Sequence, residues 1–453
     1  MDTLNAIDII NIVISCIIMV LFAYKIVWIV IGLFKTRKFP EAKENHTFAI
    51  LIAGRNEENV IGQLIDSIKK LNYDQTKVKI FICADNCTDN TYNVCVNAGK
   101  KEGAKTYVFK RVDTVKVGKG YALDYLLDKI HSTLPNYTPD AFIVFDADNL
   151  LDVNYLREIN KVYDAGYKIC TSYRNSKNYD DNWISANTSM CFFRECRFMH
   201  APRSAMNIST FVSGTGFMIS SEILNYESGW KYTTMTEDIE FSASNIAKGN
   251  LCTFCDSAIF YDEQPKTMKA SWNQRMRWQK GFYQCFAKYF KLLFKSLFSK
   301  HFMSNYEMMI MLFPFTVVTL TWTIFYLVYK TISLSIAGGS ALYGLGLVAL
   351  SIIPAYILLT LYGLLIQIRE KDKTNIKWYK RLKYALTFPI FVATYIPISY
   401  VCLFKRSVKW KQIPHDCSKS IEEMGENKKL IWQKWLETYY KIFLGIMPFL
   451  LQL

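Results

Sequence analysis

The stretch Ala141-Phe142-Ile143-Val144-Phe145-Asp146-Ala147-Asp148 predicts a buried strand that ends in two acidic side chains. Upstream, Phe48–Ala53 is a similar apolar run that enters a polar turn, and Lys77–Ala84 is another that runs into Asp85. Helical patterns separate these runs between about residues 46 and 265. Strand–helix alternation with polar residues at the strand ends predicts an open α/β sheet whose ligand binds at that edge.

Half of the 453 residues are apolar, and they are unevenly distributed. A helix needs roughly 20 apolar residues to cross a bilayer. Four runs are long enough, or nearly so: Ile9–Phe34, Met308–Val328, Ser340–Ile368 and Tyr384–Phe404. Lys25 lies in the first run, where snorkelling is favoured over the lining of a polar channel. From Ser271 to Phe302 lysines alternate with aromatic and apolar residues, which predicts amphipathic helices in the membrane interface.

The flanks of the first run set its expected orientation. Asp2 and Asp8 precede the core of the run, whereas Lys35, Arg37 and Lys38 follow it. The run is too long for a cleavable signal peptide, and basic residues favour the cytoplasmic side. We therefore expect the N-terminus outside the cell membrane and the large middle region in the cytoplasm.

The sequence leaves the membrane topology of the C-terminal third open. Three further spans would place residues 417–429 outside, yet Lys405 and Arg406 follow the last run and favour the inside. Pro389 and Pro397 make that run the one that could fail to cross. Leu430–Leu453 fits either an interface helix or a further span, and the Trp410–His415 segment has no assigned role.

A net charge of +15 does not by itself indicate nucleic-acid binding. No basic motif forms a recognisable RNA module, and much of the excess lies beside apolar runs, where it would meet anionic lipid or a diphosphate. Twelve cysteines include the pairs Cys252/Cys255 and Cys83/Cys87. A zinc site from these pairs is an open alternative, but buried free thiols, reduced in the cytoplasm, are favoured.

Three further clusters carry candidate chemistry. Asp146 and Asp148 could share a Mg²⁺-type cation with a diphosphate. Thr236-Glu237-Asp238 offers either a general base or a helix cap. Gln274-Arg275-Met276-Arg277-Trp278 combines an arginine suited to a pyrophosphate with a flat ring suited to a sugar. The alternative for the last cluster is a membrane-interface belt, in which Arg275 and Trp272 would share.

Taken in order, Asp85, the Asp146–Asp148 motif, the Thr236–Asp238 motif and the Gln274–Trp278 motif resemble the signature of processive, membrane-embedded family-2 glycosyltransferases. These enzymes synthesise cellulose, chitin and hyaluronan. The resemblance covers roughly residues 46 to 300 by motif. It implies a GT-A-type α/β domain with an open mixed sheet, embedded in an all-α transmembrane region with amphipathic interface helices.

The resemblance also implies roles for individual residues. Asp238 would be the catalytic base of an inverting transfer. Donor contacts would come from Asp85, Lys119, Asp146, Asp148, Gln274 and Arg277. Acceptor contacts would come from Phe211, Gly214, Thr215, Glu237 and Trp278. Asp146 and Asp148 would hold Mg²⁺ or Mn²⁺. The chain departs from the family pattern twice, because Ala84 precedes Asp85 where many members have a second acid and Ser213 stands where Cys is usual.

Several of these motifs have simpler interpretations. Asp85 could be a turn aspartate, Asp89 is favoured as a helix cap, and Lys119 could be a solvated loop lysine between two glycines. Residues 211–215 could form a turn before a strand.

The expected function is processive synthesis of a β-linked polysaccharide from a UDP-sugar, with UDP-glucose and a β-glucan as the first choice, and passage of the product through the membrane helices. The alternatives are a chitin- or hyaluronan-type synthase that uses UDP-N-acetylglucosamine, a non-processive glycolipid glycosyltransferase, and a transporter with a degenerate nucleotide-binding domain. Membrane lipid and the growing polysaccharide are expected partners, whereas accessory subunits and a homo-oligomer stay open. We expect no regulation by a C-terminal cyclic-dinucleotide domain.

The expected organisation has five parts. They are an N-terminal transmembrane helix at 1–36, a cytoplasmic catalytic domain at 46–270, interface helices at 271–303, transmembrane helices at 304–404 and a C-terminal tail at 405–453.

Overall fold

The computed structural model describes residues 5–224, 229–336, 341–374, 376–406, 408 and 415–424. The expectations for residues 410–414 and for Leu430–Leu453 therefore lie outside the described residues. The strands are β1 (Phe48–Gly54), β2 (Val78–Asp85), β3 (Lys105–Arg111), β4 (Ala141–Asp146), β5 (Leu150–Leu151), β6 (Ile169–Ser176), β7 (Phe217–Ser220) and β8 (Cys252–Asp262).

The helices alternate with the strands at first and then follow one another. They are α1 (Ala6–Phe22), α2 (Tyr24–Phe34), α3 (Ile61–Lys69), α4 (Thr91–Gly99), α5 (Lys119–Thr133), α6 (Tyr155–Asp164), α7 (Trp183–Glu195), α8 (Ala201–Ala205), α9 (Glu237–Ala247), α10 (Met268–Ser296), α11 (Phe302–Leu312), α12 (Phe315–Ile336), α13 (Ala341–Arg369), α14 (Trp378–Ala393) and α15 (Tyr395–Phe404). A π-helical turn, Cys196–His200, joins α7 to α8.

The strands form one mixed sheet in the order β3-β2-β1-β4-β7-β6-β8-β5. Strands β1 to β4 are parallel, β7 runs antiparallel to β4 and β6, and β6 is parallel to β8. The carboxyl ends of β2, β4 and β8 therefore meet at one edge, and β7 begins there. The predicted open mixed sheet is confirmed, and the boundaries of β1, β2 and β4 lie within about one residue of those expected.

Apolar side chains bury both faces of the sheet. One face packs on α3, α4 and α6 through residues such as Ile50, Ile80 and Ile143. The other face packs on α5 and α9 through residues such as Leu51, Phe142 and Phe241. Continuous apolar strands are typical of a sheet that is covered on both sides. This rigid layer fixes the positions of the polar residues at its edge.

The cysteine pairs of the sequence lie in these cores. Cys83 and Cys252 are buried on the α5 side of the sheet, whereas Cys255 is buried on the opposite side. Cys87 is half-buried in the turn after β2, and all twelve thiols are free. Because Cys252 and Cys255 point into different cores, they do not form the paired zinc site that was the open alternative.

Four helices among the described residues are long and apolar enough to cross a membrane. They are Ala6–Phe34, Phe315–Ile336, Val348–Arg369 and Trp378–Phe404. The second expected span, Met308–Val328, is wrong in its boundaries because the helix ends at Leu312 and α12 begins at Phe315. Pro314 between them has no N–H to continue the hydrogen-bond ladder, and α11 packs on the catalytic domain instead.

The predicted interface helices are α10 and α11. Helix α10 is a single helix of 29 residues that begins at Met268 and carries the Gln274–Trp278 motif. Arg275 is fully buried, donates to Thr394 Oγ1 at 2.6 Å and lies over the ring of Phe391. It therefore ties α10 to α14 and α15 and does not belong to a membrane-interface belt.

Candidate active site

The expected metal-binding carboxylates lie at the carboxyl edge of the sheet. Asp146 is the last residue of β4, and its backbone N–H donates to Thr215 Oγ1 at 2.8 Å. Asp148 follows in the turn, is buried, and accepts from the backbone N–H of Glu263 at 3.1 Å. The turn thus presents both carboxylates at the end of one strand, as the sequence predicts.

Lys119 begins α5 and reaches into this edge. Its ammonium donates to Asp146 Oδ1 and to the carbonyl oxygen of Gly214 at 2.6 Å. Burial disfavours its charge, but nearby carboxylates, Asp146 first, outweigh burial and raise the pKa of Lys119. Lys119 is therefore a site residue and not the solvated loop lysine of the simpler interpretation.

Gly214 links the Asp146 side of the site to Asp238. Its N–H donates to Asp238 Oδ2 at 2.5 Å, while its carbonyl oxygen accepts from Lys119. A φ of +77° at Gly214 turns both backbone groups to their partners, and L side chains rarely adopt this conformation. From the sequence, Gly214 and Thr215 are expected to contact the acceptor. In the structure, Gly214 donates to the Asp238 carboxylate and Thr215 accepts from the Asp146 backbone N–H, so both position acidic residues of the site.

Glu237 and Asp238 open α9, where Asp238 is buried and Glu237 is half-buried. Burial and the adjacent charge of Asp238 raise the pKa of Glu237 to about 7. Burial also raises the pKa of Asp238, against the hydrogen bonds from backbone N–H groups. Thr236 stands at the N-cap position, but its side chain makes no capping hydrogen bond. The helix-cap alternative for Thr236 is therefore wrong.

Helix α10 brings Gln274, Arg277 and Trp278 against the same region. Burial lowers the pKa of Arg277, while the negative charges of Glu237 and Asp146 act against that shift. Trp278 is half-buried, and its ring meets that of Phe192 edge-on at 5.9 Å. Gln274 Oε1 is buried without a hydrogen-bond partner among the described residues.

Asp85 and Phe211 lie at the margins of this group. Asp85 ends β2, is buried, and accepts from Arg111 at 2.6 Å and from the Asn86 side chain at 3.0 Å, both at Oδ1. Phe211 is buried in an apolar cluster with Ile239, and its ring meets the ring of His200. Phe211 is thus a packing residue in this structure, whereas Asp85 remains a candidate donor contact.

The structure adds one site residue at this edge, Asp262, that lies outside the sequence motifs. Asp262 ends β8, accepts from Arg174 Nε at 2.7 Å and from Asn149 Nδ2 at 3.1 Å, and is buried. Burial and the charge of Asp148 raise the pKa of Asp262 to about 6, against the effect of Arg174. The signal was available in the sequence, because Asp262 ends an apolar run just as Asp146 does.

A C-terminal segment, residues 415–424, also packs against this edge. His415 Nδ1 lies 2.9 Å from Glu57 Oε2, and its Nε2 lies 4.0 Å from Asp148 Oδ2. Glu263 accepts from the backbone N–H groups of Asp416 at 3.1 Å and Cys417 at 2.9 Å. His415 was part of the segment without an assigned role, and nothing in its local sequence indicates where it packs.

The carboxylates fit a divalent cation only together with other ligands. Among the described residues, no cluster of three or more His, Cys, Asp or Glu side chains is arranged to hold a metal. Asp146 and Asp148 nevertheless supply hard oxygen ligands. Mg²⁺ is often bound through one or two carboxylates, with substrate phosphates and water completing the shell. The pair therefore fits a cation that arrives with a diphosphate.

Comparison with known proteins agrees with this geometry. A family model described as "Glycosyltransferase like family 2" matches residues 45–281. The "Probable glycosyltransferase YdaM" of Bacillus subtilis is 25% identical over 401 residues, which cover 77% of this chain and 90% of that protein.

Two further similarities differ in extent. A "Beta-monoglucosyldiacylglycerol synthase" of Nostoc sp. is 27% identical over 256 residues, which cover 55% of this chain and 51% of the relative, so this match spans about half of the relative's length. A mannosyltransferase from Pyrobaculum calidifontis, solved in complex with GDP-Man and Mn²⁺, has a TM-score of 0.55 at 14% identity and covers 87% of this chain and 98% of that one. The structural similarity concerns the fold.

Proposed function

The chain belongs to the family-2 glycosyltransferases, and from this membership we propose that it transfers a single hexose from a UDP-sugar to a hydroxyl group of a membrane lipid. The observation that carries the lipid acceptor is the similarity to relatives named monoglucosyldiacylglycerol synthase. Four helices able to cross a membrane, three of which pack directly on the catalytic domain, support the same acceptor.

The residues of the site fit an inverting displacement. The acceptor oxygen would attack the anomeric carbon, the bond from that carbon to the diphosphate would break, and the acceptor proton would pass to Asp238. The Gly214 N–H holds the Asp238 carboxylate in place. Glu237 lies beside Asp238, has a raised pKa, and is the alternative base.

Two positive groups of the site would face the leaving group. Lys119 contacts Asp146, and Arg277 interacts with Asp146 and Asp238. Both cations would stabilise the negative charge that develops on UDP. A divalent cation held by Asp146 and Asp148, Mg²⁺ or Mn²⁺, would neutralise charge on the same diphosphate.

Processive β-glycan synthesis is the second candidate, and the Gln274–Trp278 motif favours it. In the structure, Arg277 interacts with the carboxylates of the donor side. An arginine in that position serves a lipid glycosyltransferase equally well, because both reactions release UDP. Processive synthesis of an exported β-glucan is therefore the second candidate function.

The test uses the purified full chain in phosphatidylcholine vesicles with labelled UDP-glucose and Mg²⁺ or Mn²⁺. With diacylglycerol in the vesicles, we expect UDP release and label that partitions into organic solvent. Vesicles without diacylglycerol and the Asp238→Asn variant serve as controls. Label in a water-soluble polymer, or UDP release that is independent of the acceptor lipid, would contradict the proposal.

A further inference from the structure

Glu240, in the first turn of α9, is a buried carboxylate that the proposed chemistry does not use. Its side chain has no exposed surface. Residues two apart on a helix do not face the same side, so Glu240 points away from Asp238. A buried carboxylate is costly unless hydrogen bonds or a cation compensate its charge. The partners that compensate it therefore indicate what Glu240 does.

One oxygen of Glu240 holds the loop that leads into the base. Oε2 accepts from the backbone N–H groups of Thr233 at 2.9 Å and Thr234 at 2.8 Å. Only three residues separate Thr234 from Asp238. A shift of these two N–H groups would therefore be passed directly to the start of α9.

The other oxygen of Glu240 holds α10, the helix that carries Arg277 and Trp278. Oε1 accepts from the ammonium group of Lys288 and from the hydroxyl group of Tyr289 at 3.3 Å. Hydrogen bonds between ionised partners are stronger than neutral ones. Glu240 therefore joins the loop before the base to α10 through its two oxygens.

A second contact joins the same loop to the same face of α10. Gln284 Oε1 accepts from the backbone N–H of Met235 at 3.1 Å. Intervals of four, three and four residues separate the positions Arg277, Gly281, Gln284 and Lys288. This spacing places all of them on one face of a helix. The face of α10 that carries the arginine is thus the face that contacts the loop before the base.

We propose that Glu240 is a positioning residue for the transfer reaction and holds Asp238 and Arg277 in their relative positions. The inference rests on the proposed function for the roles of these two residues, the base and the cation at the leaving group. A displacement of a reacting group by about 1 Å can cost about 10²-fold in rate. Loss of the Glu240 contacts should therefore slow the transfer step.

The test measures UDP release by the full chain in diacylglycerol-containing vesicles with UDP-glucose and Mn²⁺. The value of kcat is expressed per UDP-binding site, counted by calorimetry, so that unfolded protein does not contribute. Glu240→Gln should lower this kcat about 10- to 100-fold. The KM for UDP-glucose should change less, because Lys119 and Asp148 still contact the donor.

Lys288→Gln separates loss of the ion pair from loss of position. Alone it should lower kcat less than about threefold, because the new amide can still donate to Glu240. In Glu240→Gln an amide NH₂ group meets the Lys288 ammonium, and two donors cannot bond. The double variant restores a donor and an acceptor and should return kcat to within about fivefold of the wild type. Lys291→Gln removes an exposed lysine of the same helix and should keep the wild-type kcat.

A Glu240→Gln protein with the wild-type kcat per UDP-binding site would overturn the inference, because Glu240 would then contribute to stability alone. A double variant as slow as Glu240→Gln would also overturn it. If Glu240→Gln binds no UDP, Glu240→Asp takes its place. It keeps the charge, shortens the reach to Lys288 and should lower kcat about tenfold, and an unchanged kcat would overturn the inference.

The identity of the product tests the proposed function separately. If the wild type releases UDP while making a water-soluble polymer, transfer to lipid fails, and the kcat values of the same variants still decide the role of Glu240. If the wild type releases no UDP from UDP-glucose, the proposed function and the inference fail together.

Discussion

Asp238 is the residue on which the proposed chemistry depends. It is buried at the start of α9, and the Gly214 N–H fixes its Oδ2. Glu237 beside it is half-buried and also has a raised pKa. Asp238 and Glu237 are therefore both candidates for the base, and substituting each in turn shows which one acts.

We expect Asp238→Asn to lower kcat by about 10²–10⁴-fold, the range for loss of a general base, with little change in the KM for the donor. Glu237→Gln is the matched comparison, because it removes the neighbouring charge and keeps the size of the side chain. Initial rates of UDP release give both constants. A large loss of kcat in Glu237→Gln with only a small loss in Asp238→Asn would identify Glu237 as the base.

The raised pKa of Asp238 has a consequence for the pH dependence of the reaction. The base must be deprotonated to act, so activity falls as the pH falls through its pKa. Because burial raises that pKa, the acid limb of kcat/KM should lie above that of an ordinary aspartate, whose pKa is about 4.

Lys119→Met should move the acid limb to higher pH still. The positive charge of Lys119 opposes the rise in the pKa of Asp238, so its removal lets the pKa rise further. The measurement is the pH profile of kcat/KM for both proteins. A limb that stays in place or moves to lower pH would show that Lys119 and the base do not interact as the structure indicates.

At the scale of elements, α10 closely approaches the start of α9. A Cβ on Gly281 would lie 2.3 Å from Thr236 Oγ1 and 2.6 Å from its Cγ2. Only glycine lets the two helices come this near, and the contact holds Arg277 and Trp278 against the residues of α9. The Gln274–Trp278 motif thus depends on a glycine that lies outside it.

Gly281→Ala should force the helices apart, lower activity and destabilise the protein by about 1–3 kcal/mol, as overpacking does. Gly62→Ala in α3 is the control, because its Cβ would meet only Val94 at an ordinary 3.5 Å. Alanine there should be neutral or stabilising. Thermal unfolding and transfer rates of the purified proteins test both, and similar behaviour of the two variants would contradict the close contact.

The sequence predicts the elements of the sheet edge well. Strands β1, β2 and β4 are apolar runs that end in polar residues, so Asp85 and Asp146 could be placed from the sequence alone. The division of α11 from α12 was missed, because the apolar run Met308–Val328 continues through Pro314 and hydropathy does not show that Met308 and Leu312 pack on the catalytic domain. The position of His415 beside Glu57 depends on packing across 358 residues of sequence, and no local pattern encodes it.

At the scale of the whole molecule, buried ion pairs join the catalytic domain to the helices that can cross a membrane. Glu307 of α11 binds Arg203 of α8 and Trp28 of α2. Glu370, just after α13, binds Arg197 and accepts from Tyr173 at 2.6 Å. These links fix α8 and the π-helical turn relative to α2 and α13.

Arg203→Met should leave Glu307 buried without its charged partner and destabilise the protein by about 3–5 kcal/mol. The double variant Arg203→Met with Glu307→Leu should recover much of that loss, because it removes the unpaired charge. Arg157→Met, which breaks an exposed pair with Glu41, should change stability by at most about 1 kcal/mol. Thermal unfolding in detergent distinguishes these cases, and a double variant no better than the single one would contradict the account.

We propose that each acceptor lipid receives a single hexose and is then released. The most direct measurement is the mass of the product made by the full chain in diacylglycerol-containing vesicles, with UDP-glucose in large excess over acceptor, followed over time by mass spectrometry. We expect a lipid that carries a single hexose and accumulates at every time point. A series of products that lengthens with time, or a long water-soluble glycan, would contradict it and establish the processive reaction.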